Sequence, residues 1–338
     1  MLVGSYALVD VFQQGRSSPI RSGVGTKEAI APKLVSMRLM GSFDPIFAGE
    51  LVALDAGLFD REGVHVAVRS SGTQNEVINL VVRGTETIGV ISGEQFLLAR
   101  SRGAPITALA AGYQQSRVVL YAPSQTGIRT PAEFVGRRIG YQLGQDTAIT
   151  YEAMMARLSL SRGRVTEVPV GSDLGPLLAG QVDVWPGYIG DESFILETRG
   201  IRHNIIHPGD HGVHWPGTVY FAHERTLRES PDSIQRTLRA LMEGWELAYA
   251  DMAKSTQMIV AHDPTRLTAE FVRFKLEQQR AFLRPLGSRF GEFQEFQWQS
   301  LQDMLMQQKL IHDPIDLSKA IAFDLVRDLY RGRAASKQ

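Results

Sequence analysis

The residues able to do chemistry in this chain collect at a few short polar turns. Ser92-Gly93-Glu94 follows the apolar run 87–92, Ser70-Ser71-Gly72-Thr73 closes the run 64–70, and Gly144-Gln145-Asp146-Thr147 follows 137–142. Tyr188 and the pair Asp191-Glu192 follow a fourth run, 181–187. Ser, Thr and Asp in such turns cap the next helix, whose first N–H groups have no partner inside it. Those N–H groups, with a hydroxyl or carboxylate beside them, bind polar ligands beyond the carboxyl ends of parallel strands. Phe43, Tyr113, Trp185, Tyr188 and Trp215 offer rings that could stack on a flat ligand. One cap or one aromatic is ordinary scaffold; recurrence in two separate stretches is what points to a cleft. The candidate ligand-binding set is Phe43, Ser71, Ser92, Glu94, Tyr113, Gly144, Tyr188, Asp191, Glu192 and Trp215.

Other chemistries find little support. His203, His207, His211 and His214 lie close together with Asp210, and imidazoles this dense can ligate a metal. Pro208 and Gly209 break the segment, however, so these histidines do not share one helix face, and hydrogen-bonded loop histidines are expected instead. The chain has no cysteine, which excludes disulfides, thiolate metal sites and thiol nucleophiles. It has no G-x-S-x-G elbow, no Walker A lysine pattern and no G-x-G-x-x-G after a strand. With 36 basic and 36 acidic side chains, nothing suggests a nucleic-acid surface. The expectation is a protein without catalytic residues, metal or cofactor.

These turns need elements to position them. Runs at 35–41, 64–70, 87–92, 105–111 and 117–123 read as strands, with helices over 43–59, 76–83 and 95–103. A second unit begins near 124–130 with the capping box Thr130-Pro131-Ala132-Glu133, and strands at 137–142, 164–170, 181–187 and 203–207 alternate with helices. A strand returns from 217, followed only by helices near 231–251, 253–262, 267–283, 293–308 and 316–330. Short strands separated by helices argue for parallel α/β sheets, with the closing helices packed back on the first. The 338 residues suit about two domains, and 43% hydrophobic content is ample for their cores. No apolar run reaches the about 18 residues that a membrane helix needs. Residues 1–35 read as a poorly structured leader without the basic start of a secretion signal.

The segments 51–68, 81–111, 128–141, 177–201 and 210–248 together resemble the type II periplasmic solute-binding proteins of ABC transporters. The similarity lies with the branch related to thiamine pyrimidine precursors, near the sulfonate- and nitrate-type binders, and runs from about residue 36 to 326. The resemblance implies an α/β fold of two lobes, 36–122 plus 217–330 and 123–216, joined by two crossover strands that act as a hinge. It also implies a periplasmic or exported monomer that passes a small heterocyclic solute to a membrane permease and its ATPase. Ser92 and Glu94 fall on the family's cleft-lining turn, and Asp191-Glu192 where the branch carries an Asn-Glu or Asp-Glu pair suited to an aminopyrimidine edge. The branch often has Trp after the first strand; here Phe43 substitutes for it. An anion of the sulfonate, taurine or nitrate type is the alternative ligand. A related fungal pyrimidine synthase uses a cofactor-binding lysine and a histidine, and those positions here are Ile91 and Gln95, which disfavours an enzyme.

Overall fold

A computed structural model describes residues 33–335 except Ser71 and Leu286. Its ten strands are β1 (Lys33–Leu39), β2 (Val64–Ser70), β3 (Ile88–Ser92), β4 (Ile106–Ala111), β5 (Val118–Pro123), β6 (Arg138–Tyr141), β7 (Thr166–Pro169), β8 (Trp185–Tyr188), β9 (His203–Ile206) and β10 (Thr218–His223). The first sheet has the order β2-β1-β3-β10-β4. Its strands β3 (IGVIS) and β4 (ITALAA) are buried at every position, as strands covered by helices on both faces require. β5 pairs with β8 and β9, and a bridge between Ile139 and Val184 joins the parallel pair β6 and β7 to this second sheet.

The sheets are mixed rather than parallel. β1 is parallel to β2 and β3, but β10 runs antiparallel to β3 and β4, and β5 antiparallel to β8 and β9. The cause is the crossing of the chain. β4 leaves the first sheet at the end where β1–β3 finish, and β10 comes back through the same end, so it must run the other way. β5 enters the second sheet in the same manner. Because β5 belongs to the second sheet, the chain changes sheets over 112–117, before the expected border at 122. The expected leader 1–35 falls outside the described residues up to 32, and its last residues form the start of β1.

The outgoing and returning segments are tied to each other. Gly112 N donates to Thr218 O at 2.7 Å, Gly217 N to Tyr113 O at 2.8 Å, and Ser116 N to Trp215 O at 3.0 Å. Glycine is required at two of these positions: a Cβ on Gly112 would sit 2.4 Å from Thr218 Oγ1, and one on Gly217 2.6 Å from Gln115 O.

The helix Pro231–Ala250 buries Ile234, Leu238, Leu241, Trp245 and Ala248 against the first sheet's helix Ala48–Asp55, where Gly49 leaves room for the Trp245 indole. The helix Ala269–Leu283 reaches the second sheet's side, with Phe271 and Phe274 packed 5.2 and 5.4 Å from the Phe194 ring. The single helix expected over 316–330 is two, Leu317–Ala320 and Leu325–Ala335, because Ile321 between them bridges to Ala108 of β4. Among the described residues no helix is long and apolar enough to cross a membrane.

Candidate functional site

The strand ends of the two sheets enclose a cleft of about 490 Å³. Helix starts meet there from both sides. Thr73 caps Gln74–Val82 in a reciprocal capping box with Glu76. Ser92 Oγ accepts from Gln95 N at 3.3 Å, and Ser92 N donates to Gln74 Oε1 at 2.7 Å, so one serine positions two glutamines that line the cleft. On the opposite side Gly144 and Gln145 lead into Asp146–Arg157, and Asp191 into Glu192–Thr198.

Charged side chains are buried among these turns. Lys275, from the helix Ala269–Leu283, is 2% exposed and places its Nζ 2.8 Å from Asp44 Oδ1 while also pairing with Asp191. One ammonium cannot fully satisfy two carboxylates. Burial opposes ionisation of Asp44, but Lys275 and the Ile46 amide hold its carboxyl below the usual range. Burial outweighs Lys275 at Asp191 and raises it. Asp44 therefore carries the firmer charge.

Arg117 stands just before β5, at the crossing, and is 7% exposed. Its guanidinium carbon lies 5.1 Å from the Tyr113 ring centre and 5.3 Å from that of Tyr188. The Tyr188 hydroxyl hydrogen-bonds Asp146, whose carboxyl is raised by burial against the pull of that bond and of Arg117. Glu94 is buried, and burial first, then the charge of Asp146, push its carboxyl up to about 8. Glu94 is thus neutral near pH 7 and able to donate as well as accept.

The residues expected at the site divide. Gly144, Tyr188 and Asp191 line the cleft together. Ser92 lies beneath it as a cap, Glu94 is buried behind it, and Tyr113 is buried under Arg117 with its ring edge-on to Trp245. Trp215 is enclosed in the returning crossover. Phe43 sits between two cleft residues but turns its ring to His262, 5.1 Å away. Glu192 faces away from the cleft: its carboxylate accepts from Tyr188 N at 2.8 Å and Trp185 Nε1 at 3.4 Å, across Gly187, where a Cβ would strike it. Burial first, then the charge of Asp191, lift its carboxyl to about 7 against the pull of these two hydrogen bonds. Ser71 lies outside the described residues. The histidines do not converge: His203 packs on Tyr121 and His207 on Phe282.

Asp44, Arg117, Asp146 and Lys275 line the cleft without having been in the expected set. Two of them left a signal. Lys275 falls on the same face as Val272, Leu276, Gln279 and Leu283, a charge on a buried stripe, and Arg117 opens a strand that is buried at every position.

The family described as NMT1/THI5 like matches residues 44–254. A 4-amino-5-hydroxymethyl-2-methylpyrimidine phosphate synthase of Schizosaccharomyces pombe is 25% identical over 245 residues, covering 69% of this chain and 66% of that relative, so the match stops short of two thirds of its length. The riboflavin-binding protein RibY of Chloroflexus aurantiacus is 22% identical over 312 residues, 87% of each chain. Among solved structures, the periplasmic aliphatic sulphonate-binding protein SsuA of Escherichia coli superposes with a TM-score of 0.72 at 14% identity, over 87% of this chain and 99% of that one. The fold is the two-sheet, periplasmic binding-protein fold.

Proposed function

Because the chain belongs to the NMT1/THI5-like family, we propose that it is the solute-binding component of an ABC importer, exported to meet a membrane permease and its ATPase. The observation that carries this reading is the cleft of about 490 Å³ lined from both sheets, with two short crossing segments tied to each other behind it. Two α/β lobes hinged at such segments close on a small molecule and release it by rotation. The lobes would be 33–111 plus 218–335 and 118–213. The ligand is a flat heterocyclic solute such as a thiamine pyrimidine precursor, held by Tyr188, the helix starts and Asp146. The names of the two curated relatives, which speak of a pyrimidine and of riboflavin, support a flat ring. The cleft residues act by binding and orienting, without catalysis: position 91 is an isoleucine buried in β3, and Lys275 is engaged by two carboxylates. A sulfonate-type anion is the second reading, favoured by the buried cation Arg117.

A thermal-shift screen tests the proposal. Hydroxymethyl-aminopyrimidine, its formylamino analogue and riboflavin are compared with taurine, alkylsulfonates and nitrate. A ligand that binds only the folded state raises the melting temperature with its concentration. Stabilisation by a heterocycle is expected; stabilisation by anions alone replaces the first reading with the second.

A further inference from the structure

Three cations line the cleft, and two are spoken for. Lys275 bridges Asp44 and Asp191, and Arg266, on the rim, pairs with Asp263 at 2.7 Å and donates to Phe43 O. Arg117 differs. It is buried, its Nη1 has no hydrogen-bond partner among the described residues, and it lines the cleft. Rings of Tyr113 and Tyr188 flank it, so the planar fork is held by stacking while its donors stay uncommitted. The hydroxyl of Tyr113, whose ring Arg117 covers, is also buried without a partner. Asp44, Asp146 and Asp191 offset the charge of Arg117 from a distance, but a buried guanidinium without hydrogen-bond partners is costly, and a ligand that accepts from it completes the group.

We propose that Arg117 is the specificity-determining residue of the cleft and reads an acceptor atom on the edge of the ligand. The proposal rests on the solute-binding reading and sharpens it. Two ligand sources share this chemistry: the carbonyl and ring-nitrogen edge of a flat heterocycle, and the oxygens of a sulfonate. A ligand whose approaching edge carries only donors is rejected, since it would leave Arg117 unpaired and bring like dipoles together. The position suits the task. Arg117 O accepts from Ile189 N at 2.9 Å, so the residue is fixed to the end of β8 at the crossing, where both sides of the cleft meet. An acceptor bound there would touch the segment about which the two sheets turn.

The test uses Arg117→Met and Arg117→Lys in two arms. In the first, binding of riboflavin, ethanesulfonate and hydroxymethyl-aminopyrimidine is measured by calorimetry. The probe that wild type binds should lose about 10- to 100-fold in affinity in Arg117→Met, the range for one charge-assisted hydrogen bond, and recover part of it in Arg117→Lys. Riboflavin binding identifies the ring edge, and ethanesulfonate the acid oxygens. Equal affinity in wild type and Arg117→Met overturns the proposal. The second arm needs no ligand. Arg117 attracts the carboxylates of Asp44, Asp146 and Asp191 without a hydrogen bond to any of them, so the melting temperature of the unliganded Arg117→Met protein should fall by less than about 3 °C. A fall of more than about 3 °C makes Arg117 a structural group and also overturns the proposal. If wild type binds none of the probes, the importer reading fails by itself, and the second arm still decides the role of Arg117.

Discussion

Lys275 Nζ sits 2.8 Å from Asp44 Oδ1 and pairs at the same time with Asp191, so a single ammonium ties the turn after β1 to a helix cap of the second sheet. The three charges cross the cleft. They hold the two sides together from within, next to the space where a ligand would lie. Lys275→Met strands two carboxylates against each other. Removing one partner of a buried pair costs about 3 kcal/mol, here toward the low end because both carboxylates keep some contact with water. Urea unfolding should show this as a lower midpoint with an unchanged slope, and scattering from the unliganded variant should give a larger radius of gyration than wild type.

The two carboxylates are not equivalent. Asp44 is held below the usual range by Lys275 and Asp191 is raised by burial. Asp44→Asn should therefore destabilise more than Asp191→Asn, by about 1 kcal/mol. Equal losses, measured side by side at pH 7, would contradict the division of charge described above.

Stability should fall as the pH rises through the neutral range. Burial lifts the Glu50 carboxyl to about 8, and its Oε1 accepts from the Tyr220 hydroxyl at 2.9 Å. The folded state keeps that proton while the unfolded chain loses it near the ordinary value of 4.5. The folded state thus binds more protons between these values, so the contribution is complete at low pH and is lost as the pH climbs toward 8. Glu94 acts in the same direction. Melting temperatures from pH 5 to pH 8.5 should decline, and Glu50→Gln, neutral throughout, should flatten part of that decline.

Glu192 is predicted to act on folding, since its carboxylate accepts from Tyr188 N and Trp185 Nε1. Glu192→Ala frees the Tyr188 amide and the Trp185 indole N–H, which should cost about 1–3 kcal/mol of folding stability. A variant as stable as wild type but unable to bind ligand would return Glu192 to the cleft.

The alternation of apolar runs and caps made the strands legible, because β2 (Val64–Ser70) coincides with the run VHVAVRS and the capping box at Thr130 is formed. Strand direction was not legible: nothing within TVYFAH says that β10 runs against its neighbours, since that follows from where the chain crosses. Turn residues such as Gly144 and Asp191 reached the cleft because a cap is a local feature. Glu192 and Asp191 are neighbours in sequence, yet the first turn of their helix points one into the cleft and the other back over Gly187. Lys275 comes from a helix far along the chain, and only its place on a buried stripe could have marked it.

Calorimetric titration of the full chain with riboflavin and with hydroxymethyl-aminopyrimidine tests the central claim most directly. Saturable one-to-one binding of a flat heterocycle is expected, with a decrease in radius of gyration as the two sides close on it. Absence of binding to either ring, with binding of ethanesulfonate in their place or of nothing at all, would contradict it.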